Sequence, residues 1–402
     1  MKEHKAMIFR RMIRTTLLKT KSLLFLFLLN ISMVLNAQFE TNNTPLEQIE
    51  VFKKLNQKIN GDDLFFDIKA VSLELNAEAL IGDCSRLEFY KGVYYVLDGR
   101  PSNFFMFDER GKYISRFGKK GDGPGEYRNI RDFEIDKVNN EVIVYSPSNL
   151  SLLYYNLSGE FLRKVKLEFF GDGFEIIDES RLVFYSNYNP SDESGRYNVL
   201  VSDRTGKILK KMAPFPATVD RAIGSSGFVK SIDGKIYYNN AFADTLWVLN
   251  ENFELDHVLH FDFQGNQWKN GFDFRKSASA IDHNYLGKRI NGDEDFLLFS
   301  LFDKRKYRSV IYSRQDKAIY NEDSFKNPFL FKLLGTPGAK ADGLTYLSSI
   351  NAQSLGWLIY PAKDEWEDFQ KQYPALGNEL NQMLEEEGNP VIIQYKIKRR
   401  SR

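Results

Sequence analysis

The chain has 402 residues, of which 43% are hydrophobic and 14% aromatic. That is ample for one large core and excludes a disordered chain. Its 55 Lys and Arg stand against 54 Asp and Glu, so bulk charge gives no hold on nucleic acid or another acidic polymer.

At the N-terminus, Lys2, Lys5, Arg10, Arg11, Arg14, Lys19 and Lys21 face a single acid, Glu3, ahead of an apolar stretch over residues 23–35. This order is that of a secretory signal. The stretch is broken by Asn30 and Ser32 and is shorter than the roughly 18 to 20 residues of a membrane-spanning helix. Cleavage is expected after Ala37 in Val-Leu-Asn-Ala, an imperfect small-residue site because of Leu35, with an uncleaved anchor as the alternative. The chain is therefore divided into a signal peptide (1–37), an N-terminal extension (38–64) and one domain (65–402). The expected destination is periplasmic or secreted, with no transmembrane segment after signal removal. The mature chain keeps 48 basic and 53 acidic residues, a net charge of −5. No cysteine lies near the cleavage site to carry a lipid. The only cysteine, Cys84, cannot form an internal disulfide and is expected as a buried free thiol.

Along the body of the chain, four stretches repeat the order apolar strand, turn, apolar strand, polar turn, apolar strand. The clearest copy, residues 131–167, reads as Asp-Phe-Glu-Ile-Asp, Glu-Val-Ile-Val-Tyr, Leu-Leu-Tyr-Tyr and Glu-Phe-Leu-Arg-Lys-Val-Lys-Leu. Its last turn recurs as Asp108-Glu-Arg-Gly111, Asn156-Leu-Ser-Gly159, Asp203-Arg-Thr-Gly206 and Asn250-Glu-Asn-Phe253. The spacings of 48, 47 and 47 residues imply radial repetition of four-stranded sheets, in which each sheet hides a face against the next. Phe253, in place of Gly, is a departure that warns against requiring a left-handed backbone at that position. A fifth unit is expected from strands 296–302, 307–313 and 317–320, after a polar, helical or irregular insertion over 265–292. The sixth begins at Gly343, with strands 344–350 and 355–360, a kinked or divided helix over 364–387, and a strand over 391–398. It is one strand short, and residues 65–73 can fill the vacancy. The fold is thus all-β, a six-bladed β-propeller whose N-terminal strand closes the last blade and whose C-terminal part carries a helical insertion.

The run Gly92-Val-Tyr-Tyr-Val-Leu-Asp98, then Asn103-Phe-Phe-Met-Phe-Asp108, Gly111-Lys-Tyr-Ile-Ser-Arg-Phe-Gly118 and Gly121-Asp-Gly-Pro-Gly-Glu-Tyr127, resembles NHL-repeat propellers. It is most similar to the exported six-bladed β-propeller proteins of Bacteroidota, with Asn389-Pro-Val at the closing strand as a second specific part. The resemblance implies fold and export. It implies no particular chemistry, since the fold hosts unrelated functions.

Candidate sites follow from residue type and spacing. Residues 118–127 offer clustered glycines beside Lys119 and Lys120, but Gly123 precedes Pro124 and Glu126 takes the third-Gly place, so neither phosphate-loop pattern fits. A tight inter-blade connection is expected there, with Glu126 accepting backbone hydrogen bonds. His257 and His260, three apart in a strand, point to opposite faces, and no HExxH, Cys-His cluster or EF-hand loop occurs. Metal ligands gathered from several blades would be residues such as Asp98, Asn149, Glu175 and Asp244, though a solvated turn carboxylate or amide is the expected role of each. No nucleophile elbow is present.

The long connections at 118–130, 187–196, 214–227 and 265–292 all fall on one face of the disc, because loops joining strand two to three and blade to blade share a side. Arg100, Arg128, Tyr188, Tyr197, Arg221 and Trp268 on or beside them are the candidate ligand-binding residues, suited to stacking on sugars or anchoring a protein. The stripe Trp366, Phe369, Tyr373, Leu376, Leu380 and Leu384 is expected to pack on the ring, with partner docking as the alternative. Two functions compete. One is a non-catalytic exported module engaging a glycan, peptide or envelope protein, with no cofactor identified. The other is a metal-assisted hydrolase or lyase using carboxylates at the channel mouth. Three or more convergent acids at that mouth would favour the enzyme. An aliphatic channel with aromatics on outer loops would favour the binder.

Overall fold

The computed structural model describes residues 44–99, 101–219, 227–271 and 273–399. The signal-peptide segment therefore lies outside the described residues. The strands in chain order are β1 (Leu46–Ile49), β2 (Phe65–Ser72), β3 (Cys84–Tyr90), β4 (Val93–Asp98), β5 (Asn103–Asp108), β6 (Tyr113–Arg116), β7 (Lys119–Lys120), β8 (Glu126–Tyr127), β9 (Asp132–Asp136), β10 (Glu141–Ser146), β11 (Ser151–Asn156) and β12 (Phe161–Lys166). They continue with β13 (Gly173–Ile176), β14 (Arg181–Tyr185), β15 (Tyr197–Asp203), β16 (Ile208–Pro214), β17 (Phe228–Ile232), β18 (Lys235–Asn239), β19 (Thr245–Leu249) and β20 (Leu255–Phe261). The last are β21 (Asn284–Gly292), β22 (Phe296–Asp303), β23 (Lys306–Ser313), β24 (Ile319–Tyr320), β25 (Ala339–Lys340), β26 (Tyr346–Ile350) and β27 (Val391–Ile397).

Six sheets form blades one to six: β3 to β6, β9 to β12, β13 to β16, β17 to β20, β21 to β24, and β25, β26, β27 with β2. β2 runs antiparallel to β27, pairing Ala70 with Ile393 and Val71 with Ile392. β1 adds a fifth strand to blade four, parallel to β20, so part of the 38–64 segment is woven into the ring.

Burial follows position in the blade. The second strand of blade two, Glu-Val-Ile-Val-Tyr-Ser, is buried from Val142 to Ser146, because the neighbouring blades cover both its faces. The outer strand Phe161–Lys166 is largely exposed and correspondingly charged. Each pair of adjacent blades shares one apolar core. The core that joins blade six to blade one brings Leu347 and Ile392 against Leu87, Val96 and Phe105.

The repeated turn between third and fourth strands has a side-chain cause. Asp108 Oδ1 accepts from the backbone N–H of Arg110 and Lys112, both at 2.9 Å. Asn156, Asp203 and Asn250 do the same two and four residues on. The fourth residue then takes a left-handed backbone, with φ of 80° at Gly111, 88° at Gly159 and 86° at Gly206. Phe253 takes it too, with φ 60°, although it carries a side chain. The strain of about 1–2 kcal/mol is offset by burying its ring in the core between blades three and four, under the Arg181 guanidinium.

Two further segments differ from the sequence reading. Residues 284–292, expected within a polar insertion, are the innermost strand of blade five, and only Phe274–Asp282 before them is helical. An innermost strand borders the channel and need not be apolar, so Asn-Tyr-Leu-Gly-Lys-Arg-Ile-Asn-Gly hides its identity. Residues 355–360, expected as a strand, are the end of the helix Ala352–Ile359 and its C-cap Tyr360; the helix's first turn is capped by the Asn351 side chain accepting from Ser354 N at 2.8 Å. Blade six keeps four strands because Ala339–Lys340 supplies its innermost one, while Phe65–Ser72 fills the outermost place as expected. The helical stretch beyond divides at Tyr373 into Lys363–Gln372 and Pro374–Glu385. Trp366, Phe369, Leu376 and Leu380 are buried in the core shared by blades five and six, with Tyr373 and Leu384 packed at its margin.

Candidate functional site

The innermost strands converge on a channel whose lining is charged. Arg86 of β3 reaches Asp132 and Glu134 of β9, contacting Glu134 directly and lying 3.7 Å from Asp132, and it also sits 3.3 Å from Glu88. Lys230 of β17 is 2.6 Å from Glu175 of β13 and 3.8 Å from Glu134. Four carboxylates thus surround two cations contributed by different blades. A cavity of about 350 Å³ beside them is bordered by Glu88, Glu134, Glu175, Lys230, Asn291 and Lys340. Burial pushes Glu134 up to about 7; Arg86 opposes the rise and Glu175 reinforces it. Burial likewise raises Glu88 and Glu175. Burial and Arg86 both work against the charge on Lys230, but Glu175 and Glu134 outweigh them and its pKa rises. At the opposite, loop-bearing end, Asp172 takes Arg131 and, at 3.1 Å, Lys288 from across the ring.

The channel is therefore neither the aliphatic bore nor the bare acidic mouth that would separate the two functions. Its acids converge, but Arg86 and Lys230 occupy the positions between them. Among the described residues, no group of three His, Cys, Asp or Glu side chains is placed to hold a metal ion. Of the residues considered as dispersed ligands, Glu175 is in this network, whereas Asp98 accepts from Gly82 N at 3.0 Å and Asp244 lies beside His260.

The connections on the insertion face are packed against one another. Tyr188 is fully buried, its hydroxyl accepting from Ala241 N at 3.1 Å, and Trp268 is 9% exposed with Nε1 donating to the Gly271 carbonyl. With Phe215, Val219, Phe242 and Tyr285 they form a satellite core beneath the loops. Neither ring presents a face to solvent. Tyr197 is half-buried at the start of β15. Arg128 is exposed and pairs with Asp122, through Nε at 2.5 Å and a second nitrogen at 3.1 Å. Arg100 and Arg221 lie outside the described residues. The 118–127 segment is the expected tight connection: Glu126 accepts from Gly123 N at 2.9 Å, and Gly118 and Gly125 have φ of 65° and 72°.

A different part of the same face holds a cleft of about 590 Å³, between blades five, six and one. The Ala352–Ile359 helix, the starts of β3 and β23, the end of β26 and the Phe331–Thr336 stretch wall it. Arg289, Tyr307, Trp357, Asp83, Asn351 and Ser354 are among its lining residues. Trp357 is 68% exposed and Tyr307 49%, unusual for rings that could have been buried. Of the three cations in the lining, Arg308 is held by Asp303 and Glu322, and Lys332 by Glu365. Arg289 makes no ion pair among the described residues. Cys84 lies in the wall, and burial pushes its thiol up to about 11, which removes it from nucleophilic use near neutral pH. Sequence reasoning missed this cleft because Trp357 stood on an expected strand and Arg289 in an expected insertion. Asn351 ahead of Leu355 and Leu358 was the available helix signal.

Six sheets, their shared cores and the charged axis define a six-bladed β-propeller. More narrowly, the chain belongs to the family described as "Domain of unknown function (DUF4934)", whose model matches residues 46–396. No curated protein matches the chain. Among solved structures, a "Putative exported protein" of Bacteroides fragilis is similar at 18% identity, with TM-score 0.69, over 88% of this chain and all of that one. A member of the DUF4221 family from Bacteroides vulgatus is similar at 13% identity and TM-score 0.49, over 84% of this chain and 98% of that one. At such identities the first likeness bears on the fold alone.

Proposed function

We propose that the protein is an exported, non-catalytic binding module that holds its ligand on the insertion-bearing face, in the cleft rimmed by Arg289, Tyr307 and Trp357. The observation that carries this reading is a single cleft whose lining holds both an exposed Trp357 indole and an Arg289 guanidinium with no ion pair among the described residues. Both belong to a cavity of the size used for small ligands and peptide or glycan segments. Glycan, peptide and envelope protein are the candidate ligand classes. Arg100, Arg128, Tyr197 and Arg221 are retained as contacts elsewhere on this face, with Tyr188 and Trp268 supporting its loops from beneath. Export, to the periplasm or beyond the cell, rests on the pattern of residues 1–37 and accords with the name of the Bacteroides fragilis relative. The carboxylates of the channel do not support a metal-assisted reaction, because Arg86 and Lys230 already pair with them.

The test is capture of cell-envelope components by the immobilised mature chain, comparing wild type with the Arg289→Met, Trp357→Ala double variant and with an opposite-face control, Arg110→Ala. Loss of specific capture in the double variant alone, at unchanged melting temperature, is expected. Equal capture by all three would overturn the assignment of the face.

A further inference from the structure

The lining of the cleft discriminates between ligand chemistries. Most of its polar groups are committed within the protein. Thr336 donates to Ser309 at 3.0 Å, Ser348 donates to the Leu334 carbonyl, and Asn351 bonds Gly82 O and Ser354 N. Two exposed charges of the lining make no hydrogen bond or ion pair among the described residues: the Arg289 guanidinium and the Asp83 carboxylate. The same lining holds the exposed Trp357 ring and the Ser354 hydroxyl. A ligand that satisfies this set must offer an anion to Arg289, hydrogen-bond donors to Asp83 and a flat C–H face to the indole.

Resting on the binding-module reading above, we infer that the cleft binds a carboxylated saccharide. Its carboxylate lies on the Arg289 guanidinium, its hydroxyls donate to Asp83, and a pyranose face lies on Trp357. A phosphate or sulfate alone would satisfy Arg289 but bring no sugar hydroxyls to donate to Asp83 and no C–H face for the Trp357 ring. An apolar ligand would leave both charges unmatched. A free amino acid could match the two charges but would leave most of about 590 Å³ unfilled. Arg289 is well placed for the anion because it projects from β21 where the pairing with β22 slips between Leu286 and Ile290, and such irregularities re-aim side chains.

The experiment is calorimetric titration of the mature chain with three uronide probes: a galacturonate trisaccharide, an alginate trisaccharide and a hyaluronan tetrasaccharide. The methyl ester of the galacturonate probe and an unblocked acidic tripeptide serve as comparisons. At least one uronide is expected to saturate the protein. Its affinity should fall about tenfold or more on esterification, in Arg289→Met and in Trp357→Ala, and should weaken with salt. Melting curves of both variants must overlay the wild type. The inference is overturned if no uronide saturates up to about 10 mM, or if the ester binds as well as the acid. Saturation by the tripeptide alone also overturns the saccharide while leaving the binding-module reading intact. Failure of every probe, together with envelope capture indifferent to Trp357, removes both.

Discussion

Arg86 is the cation on which Glu88, Asp132 and Glu134 converge, so its removal should report directly on what holds the inner strands together. Arg86→Met keeps much of the aliphatic stem and deletes the charge, leaving Lys230 alone to face Glu88, Asp132, Glu134 and Glu175. Breaking one side of a buried pair costs about 3–5 kcal/mol, since the remaining charges stay desolvated. With an unfolding entropy of about 2.1 cal/mol/K per residue over roughly 350 folded residues, this lowers the melting temperature by about 4–7 °C at pH 8. The loss should shrink at pH 6. Glu134, already raised to about 7 by burial, rises further without its guanidinium and takes up a proton instead of remaining an unpaired anion. Scanning calorimetry of wild type and variant at both pH values is the assay. A shift below about 1 °C at pH 8, or an identical loss at both pH values, would refute the view that Arg86 neutralises a buried acid cluster.

Three other outcomes follow from the same structure. Glu134 has a folded pKa above its unfolded value of 4.5, so the folded state binds the extra proton between the two. Its contribution to stability therefore falls as pH rises from about 4.5 to 7, by about 3 kcal/mol at most. Glu134→Gln should flatten the denaturant-midpoint profile in that window, and an unchanged slope would count against the assignment. Gly111→Ala should destabilise by more than the 1–2 kcal/mol of left-handed strain, because its Cβ would overlap the Ser72 carbonyl of the chain-closing strand. Gly234→Ala, with similar φ and open space around it, should show the strain alone. Urea midpoints compare the two. Cys84 should resist maleimide near pH 7.5 until denaturant opens blade one, and rapid labelling of the native protein would contradict its burial.

How far the sequence carried depends on which face of a blade a residue occupies. Middle strands such as Glu141–Ser146, covered on both sides, read as continuous apolar runs. The turns beginning at Asp108, Asn156, Asp203 and Asn250 repeat because the same side-chain oxygen organises each. These two signals sufficed for the blade count. Asn284–Gly292 was illegible because a channel-facing strand can be polar, and Ala339–Lys340 because two residues carry no period. Tyr188 and Trp268 were correctly placed on the long loops, but an aromatic in a loop serves equally well to glue that loop to its neighbour. That is where the structure puts both. The charged axis joins Arg86, Glu134, Glu175 and Lys230 across up to 144 positions of sequence, and such a network leaves no local spacing to find.

The central claim, that recognition occurs on the insertion-bearing face, is tested most directly by amide hydrogen exchange of the mature chain with and without saturating ligand. Slowed exchange confined to the β22–β23 turn, the end of β26 and the Ala352–Ile359 helix is the predicted result. Protection gathered instead at the Asp108, Asn156, Asp203 and Asn250 turns, on the opposite face, would contradict it.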